Sequence, residues 1–142
     1  MSLHPDYPVI EGYLQLTAAW SLELEQPLNR RIEDGSMVLW RPGFTIWLNV
    51  WGNDNDETID DRAGRIKSDV SPEAHDIVSG TSGGLFRHSY RLEEMSGNKF
   101  VYGYFGFIIA PEGHVQIAIY FDAMADLAAA KAIVAGITYD DD

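Results

Sequence analysis

Apolar and polar residues alternate through most of this chain, and that period of two predicts strands before anything else. In the run YLQLTAAWSLEL, residues 13–24, Trp20, Leu22 and Leu24 recur at every second position, which predicts an early strand. A second short strand is expected from Leu28 to Glu33, closed by the turn pair Asp34-Gly35. Strands at Ser36–Arg41 and Phe44–Trp51 then flank Pro42-Gly43. After a short strand at Ile77-Val78 come longer ones at Leu85–Glu93, Lys99–Ala110 and His114–Asp122. Met95-Ser96-Gly97-Asn98 and Pro111-Glu112-Gly113 join these three as hairpins.

Two stretches leave the period of two. Thr58 with Asp61 three residues on resembles a capping box, and Ile59, Ala63 and Ile66 recur at helical spacing. A helix is therefore expected from Ile59 to Asp69, stopped by Ser71-Pro72. The Ala-rich stretch 123–135 carries Leu127, Ala130 and Val134 on one stripe, with Gly136 at the C-cap position, and predicts a second helix. The expected fold class is α+β: a mainly antiparallel sheet of about six strands with two principal helices. Residues 1–142 form one domain on this reading, with 1–10 and 139–142 as flexible ends.

Hairpin registers follow from asking which alignment gathers apolar side chains on one face. With Pro42-Gly43 as a two-residue loop, Met37 and Leu39 share a face with Phe44, Ile46, Leu48 and Val50. Ser36, Val38, Trp40, Thr45, Trp47, Asn49 and Trp51 take the other. A three-residue loop at Pro111-Glu112-Gly113 pairs Ile109 with Val115, Phe107 with Ile117 and Phe105 with Ile119 on the apolar side. Phe86, His88, Tyr90 and Leu92 join that side. The second face then collects Trp40, Trp47, Trp51, Arg87, Arg91, Tyr102, Tyr104, Gln116 and Tyr120, the expected binding set. Large rings with a polar handle, interleaved with arginine, are typical of interface centres. Coverage of these rings by the second helix and the N-terminal segment is the competing structural account.

Composition narrows the partner. The 22 acidic and 10 basic residues give a net charge of −12, which disfavours nucleic acid and anionic membranes. A basic protein partner would instead be attracted, and homo-oligomers are left open. There is no cysteine, hence no disulfide, thiolate zinc site or cysteine nucleophile, which fits a reducing, cytoplasmic location. No signal peptide and no run of membrane-spanning length is visible, so membrane insertion is not expected.

Candidate chemistry is sparse. Gly80-Thr81-Ser82-Gly83-Gly84 matches G-x-S-x-G, but a nucleophile elbow needs a helix after the serine and Leu85 onward reads as strand. His4, His75, His88 and His114 have no metal-ligand spacing. Asp54, Asp56, Asp60 and Asp61 fail the EF-hand template, with Ile59 and Arg65 where glycine and glutamate belong; negative charge at a helix start already has a reason in the macrodipole. No catalytic residue, metal ligand or cofactor is assigned.

The Trp20 strand, the turn before SMVLW, the helix after WLNVW and the ending VQIAIYFDAMADLAAAKAIVAGI together resemble the PsbP-like α/β/α superfamily. That resemblance implies a three-layer sandwich and a binding role, since the family includes photosystem subunits, a nuclear-transport GTPase-binding factor and bacterial chaperones of secreted toxins. It carries over no site residue. The expected function is a non-enzymatic, acidic cytosolic binding protein, a chaperone, adaptor or immunity-type factor, acting through the second face. The alternative is a small enzyme or small-ligand binder with a pocket between that face and a covering helix.

Overall fold

The computed structural model describes residues 3–140, and it corrects the expected fold class. Strand makes up 57% of it, in nine strands, and both helices are short. The protein is therefore mostly antiparallel sheet, not a six-strand, two-helix α+β sandwich. The strands are β1 Val9–Gln15, β2 Trp20–Glu33, β3 Ser36–Arg41, β4 Phe44–Gly52, β5 His75–Ser82, β6 Leu85–Ser96, β7 Lys99–Ala110, β8 Gly113–Phe121 and β9 Thr138–Tyr139. Helix α1, Ile59–Ser68, follows β4, and α2, Leu127–Ala135, follows β8 after a 3-10 turn at Met124–Asp126. The chain thus lays down a four-strand meander and a helix twice. The sheet order is β1-β2-β3-β4-β8-β7-β6-β5, with β9 beside the start of β2, and β4 against β8 joins the two meanders.

The strands that the hydrophobic pattern understates lie at the edges. All of β5 is exposed, and β1 buries no residue fully, so a pattern that reads burial passes over them. The expected strand over 13–24 is instead the end of β1, a turn and the start of β2. Thr17 builds that turn, its hydroxyl accepting from the N–H groups of Ala19 (3.2 Å) and Trp20 (3.1 Å). Four intervening residues preserve parity, so Leu14, Trp20, Leu22 and Leu24 read as one uninterrupted alternation.

The main core lies on one face of the sheet, and a smaller cluster under α1 lies on the other. Leu22, Leu24, Leu39, Ile46, Leu48, Val115, Ile117, Ile119 and Phe121 are buried in the main core beneath Ala130 and Val134 of α2. Gly106 lets the helix come that close: a Cβ on it would stand 2.8 Å from Val134 Cγ1 and 3.1 Å from Ile117 Cγ2. Arg87 fastens the end of α2 by donating to the carbonyl of Val134 in its last turn (3.2 Å) and to that of Ile137 just beyond it (2.7 Å).

The β3–β4 hairpin has the expected register, with Leu39 opposite Ile46 and Val38 opposite Trp47. The β7–β8 hairpin does not. Ala110 pairs with Gly113, leaving a two-residue loop, so Ile108 faces Val115, Gly106 faces Ile117 and Tyr104 faces Ile119. A slip of one residue turns every side chain of β7 to the opposite face, and β6 follows it. Gly113 belongs to the ladder rather than the turn because its φ is +151° and a Cβ would stand 2.0 Å from the Trp51 carbonyl oxygen.

Candidate functional site

The side of the sheet away from α2 is laid out in rows that cross β4, β8, β7 and β6. Trp51, His114, Ile109 and Phe86 form one row, and Asn49, Gln116, Phe107 and His88 the next. Trp47, Ala118, Phe105 and Tyr90 make the third, and Thr45, Tyr120, Gly103 and Leu92 the fourth. Helix α1 covers the first row, packing Ala63 and Ile66 onto Ile109, Phe86 and Phe107. At the opposite side the N-terminal segment covers Trp40. Buried Asn29 ties that segment down, accepting from the His4 N–H (2.7 Å) and donating to the His4 and Tyr7 carbonyls (3.0 and 3.2 Å). Tyr7 meets Trp40 edge-on at 5.0 Å, while the Arg31 guanidinium lies 4.4 Å from the same ring. Between the two covers the remaining rows are open.

Rings dominate this open strip. Phe107, Tyr90, Phe105 and Tyr120 run in contact, with centroid separations of 6.4, 5.1 and 5.7 Å along the series. Trp47 stands across from them on β4, and small Ala118 on the strand between leaves a trough. Trp47, Tyr90, Phe105 and Tyr120 are half-buried, whereas Trp51 is 52% exposed and Gln116 is exposed. Burial pushes the Tyr90 and Tyr120 phenols above their usual range; for Tyr120 the Glu94 charge adds to it.

Toward α1 the trough deepens into a groove of about 900 Å³. Trp51, Tyr90, Phe107, His114 and Gln116 line its sheet side, and Asp54, Asp56, Glu57, Asp61 and Asp69 line the opposite wall with Arg62 and Arg65. Arg62 holds this wall in shape. Its buried guanidinium donates to Glu57 (3.0 Å), His114 Nδ1 (2.9 Å), the Gly52 carbonyl (3.1 Å) and Asn53 Oδ1 (2.8 Å). Arg65 adds two bonds to Glu57, at 3.2 and 3.0 Å, and these, with those from Arg62, hold the Glu57 carboxyl below its usual range. His114 is buried, stacked at 6.4 Å on Trp51, and its pKa is pushed down to about 4, first by burial and then by the Arg62 charge. At neutral pH its ring is therefore neutral, with Nδ1 as acceptor.

Glu57 is thus engaged by two arginines, while Asp54, Asp56 and Asp61 are exposed and form no ion pair among the described residues. Among the described residues no three His, Asp or Glu side chains are grouped to hold a metal ion. The site offers aromatic faces and carboxylates, a combination that receives apolar surface and positive charge.

Of the nine residues expected in the binding set, Trp40, Trp47, Trp51, Gln116 and Tyr120 lie on this face. Arg87, Arg91, Tyr102 and Tyr104 lie on the core face: Tyr104 is buried, Tyr102 stacks on Phe121 at 5.7 Å, and Arg91 is paired with Asp76 at 2.9 Å. The register slip exchanged these four for Tyr90, Phe105 and Phe107, which belong to the open strip. What fixes the correct loop is the close approach that Gly113 makes to β4, a contact with no local signal in the sequence. The acidic wall was visible as a cluster, and what the sequence pattern lacked was the groove in front of it.

Compared with protein-family models and with curated proteins, the sequence matches none of them.

Proposed function

We propose that this is a non-enzymatic binding protein of the chaperone, adaptor or immunity type, and that the open aromatic strip is its working surface. The observation that carries the reading is the run of half-buried rings Tyr90, Phe105 and Tyr120 facing Trp47, with no helix of this chain packed over them and only the Arg31 guanidinium, 5.9 Å from the Trp47 ring, at their margin. An aromatic strip of this size costs free energy in water unless another surface takes it up. Two further facts support it. Arg87 and Arg91, which would have marked a polar small-molecule pocket, are engaged on the other face. Arg62 is bonded to His114, to the Gly52 carbonyl and to Asn53, while Asp54, Asp56 and Asp61 of the groove wall are exposed.

Adjacent residues on β4 provide the test, because Val50 (38% exposed) and Trp51 (52% exposed) point to opposite faces. A photo-crosslinking phenylalanine is introduced at position 51, 116 or 50 and irradiated in native extract. Adducts to a discrete partner are expected from 51 and 116 and not from 50. Adducts from 50 alone would move the working surface to the core face, where Ile32, Met37 and Val50 form an apolar patch.

A further inference from the structure

We infer that the strip receives a basic amphipathic helix from the partner protein; the inference rests on the surface reading above. The dimensions are the first reason. From β4 to β6 the open rows span three inter-strand spacings, about 14 Å, and a helix with its side chains is about 10–12 Å across. Along β8 the open floor runs from Gln116 to Tyr120, about 13 Å, which matches about nine residues of helix. The core face already shows such an arrangement, with α2 lying over β7 and β8 and reaching β2. On the aromatic face the apolar side of α1 packs on β6 and β7 at one end, and α1 meets β8 and β4 through the Arg62 side chain, so no helix lies along the rest of that face.

Backbone chemistry gives the second reason. The strip is a sheet face, whose backbone groups are paired within the sheet, so an extended segment laid on it would leave its own N–H and C=O groups without partners. A helix satisfies them internally and brings only side chains.

Charge decides the composition. The groove wall contributes Asp54, Asp56, Glu57, Asp61 and Asp69 against Arg62 and Arg65, and Glu94 stands near Tyr120 at the far end of the strip. Lysines or arginines on the flanks of the incoming helix meet these carboxylates and the Trp51 ring, while its apolar stripe lies over Phe105, Phe107 and Tyr90. A second copy of this chain is the wrong occupant. Each copy carries −12; the apolar side of α1 is already packed on its own sheet with Arg62 and Arg65 paired to Glu57, and α2 has Lys131 as its single cation.

The test titrates the full chain, by tryptophan fluorescence and calorimetry, with a synthetic Leu/Lys amphipathic helix of about 14 residues. Two companion peptides replace Lys by Glu or interrupt the helix with proline. The basic helix is expected to bind at least about tenfold more tightly than either companion, and more weakly as salt rises. Trp51→Ala and the pair Asp54→Asn/Asp61→Asn should each weaken it about tenfold. Glu11→Gln/Glu25→Gln, with the same change in net charge on β1 and β2, should not. Circular dichroism of each variant establishes that it is folded.

Equal binding of the charge-inverted or proline-broken peptide overturns the inference. So does displacement of the basic helix by an equal concentration of spermine, which would make this a small-cation site, or a dimer that Trp51→Ala dissociates. If the peptides fail while crosslinks from 51 and 116 persist, the helix is wrong and the surface stands. Crosslinks from 50 alone overturn both.

Discussion

His114 is where the groove wall joins the stability of the fold. Its ring is buried against Trp51, its Nδ1 accepts from Arg62, and its pKa lies near 4 rather than the usual 6.5. The folded state therefore binds this proton less readily than the unfolded chain does. A His with a depressed pKa contributes stability that is complete above the unfolded value and is lost as pH falls from about 6.5 toward 4. Over pH 7 to 5 the loss amounts to about 2 kcal/mol, at a pH where most carboxylates are still ionised. His88, also buried and also lowered, adds to it in the same direction. Urea unfolding at the two pH values should show this loss in the native sequence and a smaller one in His114→Gln, whose side-chain oxygen can still accept from Arg62. An unchanged pH dependence in the variant would mean that His114 is not the titrating group.

Between elements, the contact that fixes the architecture is α2 on the middle of β7. Replacing glycine by alanine within a strand ordinarily gains a little stability. At position 106 the added methyl would meet Val134 and Ile117 at 2.8 and 3.1 Å, so Gly106→Ala is expected to cost about 1–3 kcal/mol by urea unfolding. A neutral result would mean that α2 does not seat there. Much of this architecture was legible in the chain. The β3–β4 register, the Thr58 cap, whose hydroxyl accepts from the Asp61 N–H at 3.1 Å, and the helix from Ile59 all follow from local chemistry. The β7–β8 register was not legible, because β7 carries rings on both parities: Tyr102 and Tyr104 on one, Phe105 and Phe107 on the other. Either alignment gathers apolar residues, so the pattern cannot choose between them. What chooses is the contact of Gly113 with Trp51, which lies about sixty residues back along the chain and has no local signature.

At the scale of the whole molecule the sheet has two unlike sides. One is closed by α2 over a continuous core; the other is closed at its margins by α1 and the N-terminal segment and left aromatic between them. The net charge of −12 and the carboxylates beside the groove make the field at the open side negative. The four tryptophans report on this division, since Trp20 is buried on the core side and Trp40, Trp47 and Trp51 are on the other. Incorporation of 5-fluorotryptophan gives each of them its own fluorine resonance. On titration with the partner captured through position 51, the Trp47 and Trp51 resonances are predicted to shift and Trp20 to stay where it is. A shift of Trp20 with Trp47 and Trp51 unmoved would contradict the claim that the aromatic face is where this protein binds.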